Sequence, residues 1–249
     1  RADIIFILDF NDVSRAEKME RSLSSARAFK VMIDHHQSPK EFCDITFSFP
    51  KAGSTAELVF YFVKKLSGAY SLTKSFAECI YAGIMTDTGS FRFSSTSGDT
   101  HRIVAQLLDA GAVPNEIHER IFDNFSEKRM HLLGYCLQKK MKVIPELNTA
   151  FIAISKTDLK NHHYRQGDTE GIVNFPLSIK NIRFSVFICE HDNIIKMSFR
   201  SQGDFEVNKF ASKYFNGGGH INAAGGRSDE SLKKTINKFF SEDNSQAGA

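Results

Sequence analysis

Short apolar segments with the length of β-strands alternate with polar segments in the first part of the chain. Ile4–Leu8 is continuously apolar, and residues 29–33 form a second apolar run. Such runs are typical of parallel strands that are buried on both faces. Residues 43–49 form a third candidate strand, and residues 14–26 have the composition of a polar helix. This order predicts an α/β domain with a mostly parallel sheet and helices on both faces.

Apolar positions at helical spacing follow the third strand. The segment from Ser54 to Glu57 has the sequence of a capping box, and Leu58, Phe62 and Leu66 continue it with a helical period. Further helices are predicted over residues 75–85, 100–108, 115–122 and 126–139.

The pattern changes near residue 140, which we take as a domain boundary. Strands are predicted over residues 149–155, 183–190 and 194–200, and helices over 206–215 and 229–240. The sequence therefore predicts a first domain over residues 1–140 and a smaller α+β domain with an antiparallel sheet over residues 141–241. Residues 242–249 are small and polar, and we expect them to be disordered.

Charge and composition narrow the class of protein. The 249 residues include 32 Lys and Arg against 29 Asp and Glu, a net charge of +3. This balance argues against binding of long duplex nucleic acid, so any anion recognition has to be local. Four scattered cysteines without a CxxC pair indicate a reducing compartment. With no signal peptide and no apolar window of membrane length, we expect a cytoplasmic protein without a membrane partner.

Polar residues follow the first two predicted strands. Asp9 comes after the first strand, and Asp34, His35 and His36 come after the second. Ligands of open parallel sheets lie beyond the carboxyl ends of the strands, so these side chains are expected to converge. An isolated Asp after a strand is most often a helix cap, but two consecutive histidines after Asp are less common. Carboxylate and imidazole together suit a divalent cation of the manganese, iron or zinc type.

A third candidate lies where an apolar helix ends. Asp87 is followed closely by Gly89, which is compatible with a simple glycine-capped helix end. A carboxylate at this end of a helix is unfavourable because it opposes the helix dipole. A metal ion bound to this carboxylate would compensate for the unfavourable interaction with the helix dipole.

The second domain offers a candidate phosphate site. Gly217, Gly218 and Gly219 precede His220, and their N–H groups could form an anion-binding nest, although a flexible loop has the same composition. Arg200 at a strand end could bind a phosphate in a bidentate manner or be an ordinary surface charge.

These motifs in this order resemble the DHH phosphoesterase superfamily. They are an Asp after a strand, Asp34-His35-His36, the Gly-x-x-x-Asp-Thr-Gly segment from Gly83 to Gly89, and the Gly-Gly-Gly-His segment that ends at His220. The resemblance is strongest to bacterial oligoribonucleases (nanoRNases) and pAp phosphatases, which carry a DHH-associated C-terminal domain.

The resemblance implies a role for each candidate residue. Asp9 would bridge two Mn²⁺ ions, with Mg²⁺ or Co²⁺ as alternatives. His35 and Asp87 would be ligands of one of these metals. His36 would lie beside the scissile phosphate, and Asp34 would orient the histidines. The residues that resemble the family's substrate-binding part are Arg200, Ser201, Gly217, Gly218, Gly219 and His220.

The implied function is hydrolysis of short oligoribonucleotides to 5′-mononucleotides, and of pAp to AMP. Two metals would activate water in a cleft between the domains, and the family implies a homodimer. Alternatives within the class are a linear or cyclic dinucleotide phosphodiesterase and an exopolyphosphatase. An alternative from another class is a non-catalytic nucleotide-binding module.

One family motif has no match in the chain. The family's His-x-x-x-Asp-x-Asp segment, which supplies the remaining metal ligands, should precede Asp9, and the eight residues before Asp9 do not contain it. We therefore expect the natural protein to be longer, and residues 1–249 alone to bind metal poorly and to have little activity.

Overall fold

A computed structural model describes residues 2–67, 72–192 and 194–246 of the chain. The chain divides into two compact units, Arg1–Asn124 and Phe125–Ala249. No described helix combines the length and the apolar character that a membrane crossing requires.

The first unit contains a parallel sheet of three strands. These are β1 (Ile4–Leu8), β2 (Phe29–Asp34) and β3 (Ile45–Ser48), with β2 in the centre. The parallel sheet confirms the predicted α/β class. The expectation that β1 is buried on both faces is wrong, because Ile7 is buried while Ile4, Phe6 and Leu8 are 44–53% exposed. Among the described strands β1 lies at the sheet edge, so fewer neighbours cover it.

Five α-helices belong to the described part of this unit. Their bounds are α1 Glu20–Ser25, α2 Thr55–Ser67, α3 Lys74–Asp87, α4 Gly98–Asp109 and α5 Pro114–Phe122. The single helix predicted over residues 14–26 is instead a 3₁₀ helix, Val13–Met19, followed by α1. Glu17 interrupts it with a positive φ of 48°. Apolar side chains of α2, α3 and α4 form the core of this unit, including Phe60, Ile84 and Leu107.

The second unit contains a mixed sheet of six strands. They are β4 (Met141–Ile144), β5 (Thr149–Ile154), β6 (Phe184–Glu190), β7 (Ile195–Ser201), β8 (Gly218–His220) and β9 (Ala223–Ser228), in the order β4-β5-β6-β7-β9-β8. The predicted antiparallel sheet is partly wrong, since β5 and β6 pair in parallel. A helical crossover between them returns the chain to the end of the sheet where β5 begins, so both strands run in the same direction.

Helices cover the faces of this mixed sheet. They are α6 (Glu127–Tyr135), continued by a π-helical turn (Cys136–Lys140), α7 (Lys156–Asn161), a 3₁₀ helix (Ile172–Ser178), α8 (Val207–Tyr214) and α9 (Leu232–Gln246). One apolar cluster is rich in phenylalanine and includes Phe184, Phe199, Phe210 and Phe239.

Two boundaries differ from the prediction. The units divide after Asn124 rather than after residue 140, because Leu132 and Cys136 pack with Ile152 and Ile154 of the second unit. The tail predicted to be disordered from residue 242 is helical as far as Gln246, since no glycine or proline interrupts α9 there. Residues 247–249 lie outside the described part.

Candidate metal centre and substrate-binding elements

Asp9 lies directly after β1 and adopts a left-handed backbone conformation, with φ of 67°. Aspartate tolerates this conformation better than most residues with a Cβ atom. Its backbone N–H donates to the Ile33 carbonyl of β2 at 3.2 Å. This bond places Asp9 at the carboxyl end of β2, as the sequence predicts for neighbouring parallel strands.

Asp34 ends β2 and holds His36 by two hydrogen bonds. Its Oδ2 accepts the His36 backbone N–H at 2.8 Å, and its Oδ1 lies 2.7 Å from His36 Nδ1. The Asp34 side chain is fully buried. Burial alone would raise the pKa of Asp34, but the hydrogen bonds and charge of His36 outweigh it and lower that pKa. Asp34 is therefore an ionised acceptor that fixes the His36 ring.

His35 is buried and lies between two carboxylates. Its Nδ1 is 3.1 Å from the Ala52 carbonyl, which can only accept, so we assign the proton to Nδ1. Its Nε2 lies 3.6 Å from Asp9 Oδ1 and 3.8 Å from Asp87 Oδ2. The ring nitrogen with the lone pair therefore faces both carboxylates.

Asp87 is the last residue of α3, as predicted. Burial and the neighbouring Asp9 carboxylate raise the pKa of Asp87 to about 6, and His35 and His36 partly offset this. The turn after it has positive φ at Gly89, Ser90 and Phe91. The predicted glycine cap is thus present, with Asp87 directed toward the histidines.

The donor atoms of Asp9, His35 and Asp87 all lie within 4.8 Å of one another, and we call these three residues the Asp–His cluster. A second set with the same spacing consists of Asp9, Asp34 and His36, so Asp9 is common to both. Two carboxylates close enough to raise a pKa favour a cation between them. Carboxylate and imidazole donors suit Mn²⁺, Fe²⁺ or Zn²⁺, so the residues fit a divalent cation.

Two predicted substrate-binding residues, Arg200 and His220, lie at the same register position across the strands of the mixed sheet in the second unit. Arg200 of β7 pairs with Ala223 of β9, which pairs with His220 of β8. Burial lowers the pKa of Arg200, and Glu170 partly offsets this. Ser201 is buried, and its hydroxyl donates to the Phe205 carbonyl at 2.6 Å. The Ser201 hydroxyl therefore donates its proton within the protein and not to a substrate in this structure.

Gly218 and Gly219 belong to the edge strand β8, and Gly217 lies directly before it, where a nest or a flexible loop was predicted. A Cβ atom on Gly217 would lie 2.0 Å from the Gly225 carbonyl oxygen, and one on Gly219 would lie 2.5 Å from that of Ala223. Close approach of two backbones therefore requires glycine at these two positions. Gly218 is different, because a Cβ atom there would meet no atom within 4 Å.

Arg200 lines a cavity of about 470 Å³ on one face of this sheet. Tyr164, His191, Lys196 and Ser198 also line it. Arg200 is partly buried and faces this cavity with Lys196, while Glu170 also lines it, so the two cations outnumber the carboxylate in a space suited to an anion. We did not predict Lys196 as a site residue, although Lys196, Ser198 and Arg200 alternate on one strand face.

Thr55 and Glu57 are also close to the Asp–His cluster, although their sequence predicts only a capping box. Ser54 Oγ does accept the Glu57 N–H at 3.2 Å. The Glu57 carboxylate, however, accepts from Thr100 and from the Gly53 N–H instead of returning to Ser54. Thr55 bonds to Asp9. The capping-box sequence was therefore a signal for these two residues, but it did not predict that Thr55 contacts Asp9 or that Glu57 contacts Thr100.

Family profiles match both units. The DHH family N-terminal domain matches residues 2–84, and the DHHA1 domain matches residues 149–245. These two matches correspond to the unit with the Asp–His cluster and to the unit with Arg200.

Individual relatives agree with these matches. An exopolyphosphatase-related protein from Bacteroides fragilis, known from its crystal structure, is 40% identical in sequence to this chain. The two structures superpose with a TM-score of 0.93 over 100% of this chain and 73% of that one. The bifunctional oligoribonuclease and PAP phosphatase NrnA of Bacillus subtilis is 28% identical over 215 residues, which cover 86% of this chain and 67% of NrnA.

A more distant likeness concerns the fold alone. RecJ from Thermus thermophilus, solved in complex with Mn²⁺, has a TM-score of 0.51 at 12% identity, covering 99% of this chain and 45% of RecJ. The present chain spans 63–67% of the length of three curated relatives. The profile matches, together with the 40% identical relative, show that the chain belongs to the DHH family and carries a DHHA1 domain in its second unit.

Proposed function

We propose that this protein is a metal-dependent phosphoesterase that hydrolyses short oligoribonucleotides to 5′-mononucleotides and pAp to AMP. The observation that carries the proposal is the convergence of Asp9, His35 and Asp87 within 4.8 Å, beside His36 and the buried Asp34 that holds it. A nucleotide-binding module has no need for two carboxylates and an imidazole at this spacing.

Asp9, His35 and Asp87 would hold a divalent cation, with Mn²⁺ as the proposed ion. Asp9 would also help to hold a second ion, as the resemblance to DHH phosphoesterases implies, while Asp34 and His36 stay hydrogen-bonded to each other. The Mn²⁺ complex of RecJ, which shares the fold, is compatible with this choice. When bound, divalent cations polarise phosphoryl oxygens and make water a better nucleophile.

His36 is proposed to exchange a proton with the substrate. Asp34 accepts from Nδ1 and holds the ring orientation, so Nε2 is the atom assigned to that proton. This arrangement fixes the ring in the orientation that a general acid needs to protonate a leaving oxygen.

The second unit would bind the phosphate or base at the end of the substrate. Arg200 supplies a guanidinium for a phosphate, and the adjacent cavity of about 470 Å³ suits a nucleotide better than a long strand. The B. subtilis relative, named an oligoribonuclease and PAP phosphatase, supports this substrate class. Inorganic polyphosphate is a second candidate, because the B. fragilis relative is described as exopolyphosphatase-related.

The test is a hydrolysis assay with Mn²⁺ on a 5′-phosphorylated diribonucleotide, pAp and inorganic polyphosphate. It is run on residues 1–249 and on the whole encoded polypeptide that contains them. We expect the whole polypeptide to release mononucleotides and to form AMP, with His35→Ala lowering its rate by at least ~100-fold because a metal ligand is lost. His131→Ala is the control, since His131 is 71% exposed on α6.

Each alternative has its own outcome in this assay. Cleavage of polyphosphate alone would favour the second candidate. Binding of the diribonucleotide without cleavage of any substrate would reject the enzymatic proposal in favour of a binding module.

A further inference from the structure

The turn formed by residues 52–55 leads into α2 and contacts two members of the Asp–His cluster. The Ala52 carbonyl lies 3.1 Å from His35 Nδ1, and Thr55 Oγ1 donates to Asp9 Oδ1 at 2.9 Å. Thr55 is 46 positions from Asp9 and only 5% exposed. A single turn therefore contacts both an imidazole and a carboxylate of the cluster.

The Thr55 hydroxyl is not needed to cap α2. Ser54 precedes the helix, and its Oγ accepts the Glu57 N–H at 3.2 Å, which is the usual capping bond. Thr55 is the first helical residue, and its hydroxyl donates to Asp9 instead. The bond to Asp9 thus has a purpose other than starting the helix.

Asp9 is a residue whose orientation has to be fixed. Its side chain is 53% exposed, so solvent leaves several rotamers accessible. The oxygen that accepts from Thr55 is also the one that lies 3.6 Å from His35 Nε2. A hydrogen bond to this oxygen sets the plane of the carboxylate relative to the imidazole.

The turn itself is held rigidly. A Cβ atom on Gly53 would lie 2.6 Å from Glu57 Oε1 and 3.1 Å from the Ser95 carbonyl oxygen. The Gly53 N–H donates to the buried Glu57 carboxylate, which also accepts from Thr100 Oγ1 of α4 at 2.9 Å. Because both α2 and α4 hold it, the turn can serve as a fixed support for the cluster.

We propose that Thr55 is a positioning residue that holds the Asp9 carboxylate in its metal-binding orientation, on the same turn that orients His35. The inference rests on the proposed function, because it requires that Asp9 binds a cation. Partners that orient metal ligands change metal affinity by about 10–100-fold when they are removed.

The experiment measures Mn²⁺ affinity by electron paramagnetic resonance of the unbound ion, in the whole encoded polypeptide of the hydrolysis assay. Thr55→Val removes the hydroxyl at nearly constant volume, and Thr55→Ala serves if valine impairs folding. Thr55→Ser restores the hydroxyl, and Thr46→Val is the control because Thr46 is exposed on β3. Crystal structures of wild type and Thr55→Val, both without metal, report the Asp9 rotamer.

We expect Thr55→Val and Thr55→Ala to weaken Mn²⁺ binding by about 10–100-fold and to displace the Asp9 carboxylate, with Thr55→Ser and Thr46→Val close to wild type. Wild-type affinity and an unmoved Asp9 in the valine variant would overturn the role of Thr55. An enzyme that binds Mn²⁺ but hydrolyses nothing would reject the proposed function while leaving the role of Thr55 intact. A wild-type protein that binds no Mn²⁺ would overturn both.

Discussion

Asp87 ionises at a cost in the metal-free protein, because burial and the Asp9 carboxylate raise its pKa from 3.8 to about 6. Between those two values the folded chain binds a proton that the unfolded chain has lost. The free energy of unfolding therefore decreases as the pH rises from 4 to 6, and it stays lower above pH 6. The bound cation of the proposed function would remove this penalty.

Asp87→Asn should therefore stabilise the metal-free protein at pH 7, by about 1 kcal/mol once solvent screening of the 37% exposed side chain is allowed for. At pH 4 the substitution should have little effect. Denaturant unfolding in EDTA at pH 4 and at pH 7 measures the change in the free energy of unfolding. Asp109→Asn is the matched control, since Asp109 ends α4 as Asp87 ends α3 but does not belong to the Asp–His cluster. Equal effects of both substitutions at both pH values would contradict the explanation.

At the scale of elements, strands β8 and β9 are held together by backbone approach at specific glycines. Gly217→Ala should destabilise the second unit by about 1–3 kcal/mol, because its Cβ would lie 2.0 Å from the Gly225 carbonyl oxygen. Gly218→Ala, whose Cβ meets no atom within 4 Å, should leave stability unchanged and serves as the paired control. Thermal unfolding of both variants tests this, and equal melting temperatures would argue against the packing role.

The elements also show which kinds of sequence signal are informative. Helices with a clear apolar period, such as α3 and α4, begin and end within two residues of their predicted bounds. Strand β9 consists of small and polar residues, and β8 of two glycines and a histidine, so neither has the alternation that marks a strand. The parallel pairing of β5 and β6 depends on the crossover path and has no local signature.

At the scale of the whole molecule, the predicted site residues that converge are those in strand-end and helix-end motifs. Asp9, His35 and Asp87 come together because β1, β2 and α3 end at one place. The contribution of Thr55 was not predictable, since it depends on a contact between residues 46 positions apart. The cavity beside Arg200 was missed for a similar reason, because a loop and two strands form it together.

The two units should make separable contributions to the proposed reaction, and Arg200 tests this. Arg200→Ala removes a partly buried guanidinium proposed to bind a substrate phosphate. The loss should raise the KM for pAp by about 10–100-fold, since hydrogen bonds to charged groups contribute about 1.5–3 kcal/mol. Mn²⁺ affinity should not change, because the Asp–His cluster lies in the other unit.

Steady-state kinetics with pAp measure the KM of the Arg200→Ala variant, and a parallel titration measures its Mn²⁺ affinity. Arg183→Ala is the control, since Arg183 is an exposed arginine just before β6. A fall in kcat with unchanged KM, or a loss of Mn²⁺ binding, would assign Arg200 a structural or catalytic role. An increase in KM alone would establish that substrate recognition belongs to the DHHA1 domain and metal binding to the DHH domain.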